Sequence, residues 1–92
     1  MREIELKNVV AINSRKYLIS TISMKVRHSY FQDDKDLVIY ETMIFELKDD
    51  KVEYANPIYN ERYNTADEAI YEHGKLVQNP EIVFLNQKCK IN

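Results

Sequence analysis

At 92 residues the chain has room for one domain, spanning residues 1–92, built on a single modest core. Its 13 basic and 15 acidic residues are interleaved, and the formal charge of −2 leaves no electrostatic footprint for nucleic acid or an anionic membrane. The single cysteine, Cys89, excludes an internal disulfide and a four-thiol zinc site, and the single glycine excludes a glycine-rich phosphate loop.

No stretch approaches the roughly 18 apolar residues of a membrane span, and the opening residues Met1 to Lys7 carry no apolar run of signal-peptide length. The expectation is a cytoplasmic chain with no membrane contact and no cofactor. From Glu3 to Asn13 the chain reads as a first strand, with Ile4, Leu6, Val10 and Ile12 at even positions. Asn13 to Lys16 is polar and turn-forming, so a hairpin follows. Residues 17–27 alternate again, and Leu18, Ile22, Met24 and Val26 predict that the even face of this second strand is the core face. His28 continues the even series, and Ser29 to Asp36 is a loop too polar at its end for strand.

Residues 37–47 are the strongest strand of all, rich in β-branched and aromatic side chains between two charged segments. One face carries Leu37, Ile39, Glu41, Met43, Phe45 and Leu47, and the other Val38, Tyr40, Thr42, Ile44 and Glu46. Glu41 thus falls in the middle of the greasier face, where an unpaired carboxylate costs several kcal/mol. Lys48 to Lys51 is a short charged turn, and Val52 to Tyr54 a brief returning strand that Ile58, Tyr59, Arg62 and Tyr63 extend irregularly past Pro57.

Thr65-Ala66-Asp67-Glu68 has the form of a capping box and opens a helix over 66–78, ended by Asn79-Pro80. Its apolar stripe of Ala66, Ala69, Ile70, Leu76 and Val77 includes His73. Residues 81–86 are short and rich in β-formers, and read as a last strand or extended tail. The fold class is therefore α+β: a small antiparallel sheet of about four strands with one helix packed on one face.

Three separated segments then suggest a relationship: Ser20-Thr21 with His28, the strand Glu41-Thr42-Met43-Ile44-Phe45, and the run from Arg62-Tyr63 through Thr65, Glu68 and Ala69 to His73. Over roughly residues 20–77 the chain resembles a family of short, functionally uncharacterised proteins of bacteriophages and related mobile elements. Relatives often place an Asp before the strand-end histidine, where this chain has Arg27, and a Gly/Pro-rich loop where it has Asp33, Asp34, Lys35 and Asp36. The resemblance implies an accessory protein of phage or prophage type and no particular reaction.

The candidate polar site is Glu41, His73, Arg62 and His28. Glu41 and His73 both lie on predicted core-facing stripes and can meet as a carboxylate-imidazole pair, either structural or functional. Arg62, just before the helix, is the other candidate partner for Glu41, through a guanidinium grip. If Met24 lies opposite Glu41, His28 stands roughly 13 Å away at ~3.3 Å per residue, too far for one metal ion. With no paired metal-ligand spacing, no metal is expected. Tyr54, Tyr59, Tyr63 and Tyr71 are the candidate interface residues, because a small sheet leaves edges to be covered. Two functions remain open: binding of a protein partner or a homo-oligomer, and a small-ligand- or metal-binding protein or enzyme built on Glu41 and His73.

Overall fold

A computed structural model describes residues 3–27 and 36–84. Among the described residues five strands, β1 (Glu5–Ile12), β2 (Arg15–Arg27), β3 (Asp36–Lys48), β4 (Lys51–Val52) and β5 (Tyr59–Tyr63), precede one long helix, α1 (Ala66–Gln78). All pairings are antiparallel, in the order β1-β2-β3, with β4 and β5 following one another along the outer edge of β3. The expected α+β sheet with one helix on one face is what forms. Among the described residues no helix is long and apolar enough to cross a membrane.

The two short hairpins turn on local chemistry. Asn13 and Ser14, at φ 50° and 70°, join β1 to β2, and Asp49 and Asp50, at 53° and 63°, join β3 to β4. Paired positive φ values are those of a type I′ turn, whose twist matches that of its strands. The first turn is thus tighter than the sequence predicts, and Arg15 and Lys16 already belong to β2. Tyr59 to Tyr63 is a strand in its own right, paired with Tyr40 to Ile44, rather than an extension of β4.

β2 and β3 pair with Ile22 opposite Glu41 and Met24 opposite Ile39, a shift of two residues from a register that places Met24 opposite Glu41. A shift of two preserves side-chain parity, so the expected pairing of faces survives. The choice of core face does not. α1 packs on the odd face of β2 and the even face of β3: Ile19 and Ile44 meet Leu76, and Tyr40 meets Ala69 and Tyr63. The predicted core face, with Leu18, Ile22 and Met24 beside Ile39, Met43 and Phe45, is the one the helix leaves uncovered.

α1 follows its predicted bounds. The Thr65 hydroxyl accepts from the Glu68 amide at 3.2 Å, and the Asn79 amide closes the last turn on the Lys75 carbonyl at 2.9 Å. Ala69, His73 and Leu76 are its buried residues. The strand expected over 81–86 is a helical turn as far as it is described: the amides of Ile82, Val83 and Phe84 donate to the carbonyls three residues back. Val83 is buried in the helix-side core and Phe84 packs edge-on against Tyr17 at 5.6 Å. Burial of an apolar side chain, available through either conformation, outweighs the β-propensity of Ile82 and Val83. Leu85, Asn86, His28, Asp33, Asp34 and Cys89 lie outside the described residues.

Candidate functional site

Two polar groupings occupy the two faces of the sheet, and they share no side chain. On the helix side, α1 lowers His73 onto the middle of the sheet, where it is 5% exposed. Its Nε2 donates to Asn8 Oδ1 at 2.7 Å, an acceptor that dictates the proton's position. Nδ1 therefore keeps its lone pair and accepts from the Thr21 hydroxyl at 2.7 Å, and Thr21 in turn accepts from Thr42 at 2.6 Å. Thr21 and Thr42 are fully buried and directly opposite one another in the register. Burial pushes the His73 pKa below its ordinary 6.5, so the imidazole is neutral at physiological pH. This polar seam divides the apolar core, with Ile19, Ile44 and Leu76 on one side and Tyr40, Tyr63 and Ala69 on the other.

On the opposite face Glu41 is 6% exposed. Its Oε2 accepts from Arg62 Nε at 2.9 Å and from Asn60 Nδ2 at 2.9 Å. β5 creates this grip, because pairing puts Arg62 directly across from Glu41 and Asn60 two residues along the same face. Desolvation is the largest influence on the carboxyl and pushes its pKa up. The hydrogen bonds from Asn60 and Arg62 and the guanidinium charge together outweigh it and hold the pKa below the ordinary 4.5. The Arg62 side chain stays 64% exposed, so the terminal end of its guanidinium reaches solvent.

Of the candidate polar site, then, the structure joins Glu41 to Arg62 and separates both from His73. Of the two candidate partners for Glu41, Arg62 holds it and His73 does not, because adjacent positions on one strand send Thr42 to the helix and Glu41 away from it. Asn8, Thr21, Thr42 and Asn60 are the partners that sequence reasoning missed. Thr21 and Thr42 had a visible signal, as hydroxyls inside apolar alternation. Among the described residues no buried side-chain polar atom lacks a hydrogen-bond partner, so neither grouping presents an unsatisfied group to a ligand.

The four tyrosines do not share a surface. Tyr63 is buried under α1 and Tyr59 half-buried beside it, and burial raises the pKa of both hydroxyls. Tyr71 is exposed on the outer side of α1 with the Lys75 ammonium 5.6 Å from its ring centre. Only Tyr54 belongs to the open face, where its ring crosses Phe45 edge-on at 5.1 Å.

Three of the four large hydrophobic side chains that are exposed among the described residues lie on that open face. Leu37 is 48%, Val9 56% and Tyr54 64% exposed, and Ile22, Met24, Ile39 and Met43 are half-buried. Among the described residues no helix packs on it. Comparison with protein-family models, curated proteins and solved structures finds no match.

Proposed function

We propose that this chain acts by binding a protein partner through the open face of its sheet. The observation that supports the reading is the set of half-buried apolar side chains Ile22, Met24, Ile39 and Met43 on one face, with the exposed Val9 and Leu37 on the same face and the buried Glu41 carboxylate among them already paired with Arg62. Apolar side chains gathered on one exposed face of a small domain, rimmed by polar residues, are the mark of an interaction site. An internally paired carboxylate lets a partner cover the patch without meeting a bare charge. An accessory role in a bacteriophage or mobile element rests on the resemblance of residues 20–77 alone.

Met43→Glu tests the reading, with Tyr71→Ala on the outer side of α1 as the control. Affinity capture with the full chain as bait, each variant first shown to melt cooperatively, reads the outcome. Partners should be lost with Met43→Glu and kept with Tyr71→Ala; the reverse pattern would transfer the binding surface to the helix.

A further inference from the structure

We propose that the occupant of the open face is a second copy of this chain, the two sheets packing face to face about a two-fold axis along the strands so that Glu5 of each copy meets Arg62 of the other. This deepens the reading of that face as a binding surface and rests on it. Size is the first argument. β2 and β3 are 13 residues long, β1 eight and β5 five. At ~3.3 Å per residue and ~4.8 Å between strands they cover roughly 600 Å² of flat area before side-chain relief is counted. That approaches the roughly 800 Å² per partner of a standard stable interface.

Register supplies the second argument. Glu5 pairs with Ile22, Ile22 with Glu41, and Glu41 with Arg62. These four residues therefore form one row straight across the open face, near the middle of the two long strands. The row carries a carboxylate at its β1 margin and an exposed guanidinium at its β5 margin. A two-fold axis along the strands reverses the row in the second copy, which lays Glu5 over Arg62 at both margins, Ile22 over the Arg62-paired Glu41 between them, and Met24 over Ile39 in the next row along that face. Two identically twisted sheets also satisfy the aligned packing geometry, about 10 Å apart, along their whole length.

The contacts that must be exchanged are weak ones. Among the described residues Glu5 is held only by Lys7 at 3.2 Å, with both side chains more than half exposed, so this pair is readily exchanged. Arg62 keeps Nε on Glu41 and offers its outer nitrogens. Glu41 itself stays covered and paired, contributing no uncompensated charge to the interface.

The competing arrangement is edge-to-edge pairing through β1, and the structure supplies a substitution that separates the two. The Ser23 amide donates to the Ile4 carbonyl at 3.1 Å, so even-numbered residues of β1 turn their backbone groups towards β2. The Lys7 amide therefore points outwards. Lys7→Pro removes an edge donor without breaking the β1-β2 ladder, and by removing the Lys7 ammonium it frees Glu5 for Arg62 of the second copy, which favours the face-to-face dimer while opposing the edge.

Sedimentation velocity over a concentration series on the full chain is the test, with circular dichroism to show that each variant is folded. Wild type and Lys7→Pro should sediment as dimers, Met43→Glu as a folded monomer, and Glu5→Lys should weaken dimerisation at least tenfold. Wild type that remains monomeric at every concentration overturns the second copy; protein binding through the face stands in that case if Met43→Glu still abolishes capture of a partner. A dimer broken by Lys7→Pro and untouched by Met43→Glu overturns the face-to-face arrangement in favour of the edge.

Discussion

The two faces of β3 are built from one alternating strand and met opposite fates. Tyr40, Thr42 and Ile44 lie under a helix, and Thr42 is fully buried. Ile39, Met43 and Leu47 lie on the side that no described helix covers, although as a set they are the more apolar. The covered face holds a threonine pair and a histidine at its centre, while the open one holds a carboxylate that its own sheet neutralises. Apolar content thus does not choose the face a helix covers. What the covered face has instead is shape and polar complement: small hydroxyls at Thr21 and Thr42 leave room for the His73 ring and hydrogen-bond it.

Truncation should separate the faces most sharply. Ile19→Ala removes a fully buried side chain beneath α1 and should cost about 2–5 kcal/mol in urea denaturation. Met43→Ala on the open face, measured on monomer, should cost about 1 kcal/mol or less, because half its surface term is already absent. Equal losses would show that both faces are sealed in solution.

Removing the guanidinium tests the open face alone. Arg62→Ala leaves the buried Glu41 carboxylate with Asn60 as its remaining donor and should cost about 1–2 kcal/mol, a value held down by the solvent exposure of Arg62. The Glu41 carboxyl resonance should then titrate at higher pH. An unchanged titration would mean that Asn60 alone holds the charge.

Acid should strike the two faces in windows that open at different pH, the His73 window at 6.5 and the Glu41 window at 4.5. Folding lowers the His73 pKa, so between its folded value and 6.5 the unfolded chain binds more protons, and stability falls as pH drops through that window. Glu41, lowered from 4.5, adds a further loss only at more acid pH. His73→Gln should flatten the first window and leave the second; a melt series from pH 7 to 3 decides it. The smallest effect belongs to a site on neither face. Ser14→Gly relieves a side chain held at φ 70° and should gain about 0.5 kcal/mol. A loss there would show that the Ser14 side chain contributes to the turn.

Much of this molecule was legible in order along the chain. Period-two alternation located β2 and β3, the Thr65 cap and the Asn79-Pro80 stop bounded α1, and the isolated Glu41 in an apolar row announced a buried ion pair with Arg62 among its two candidate partners. Those signals are local: steric alternation, backbone capping and the cost of an unpaired charge act within a few residues. Tertiary structure decided the rest. It made 59–63 a separate strand, bent 82–84 into a helical turn, and sent α1 to the less apolar face, parting His73 from Glu41. Each of these depends on which surface is available when distant segments meet. Burial free energy is non-directional, and a strand with two apolar faces offers a helix two nearly equal places to land.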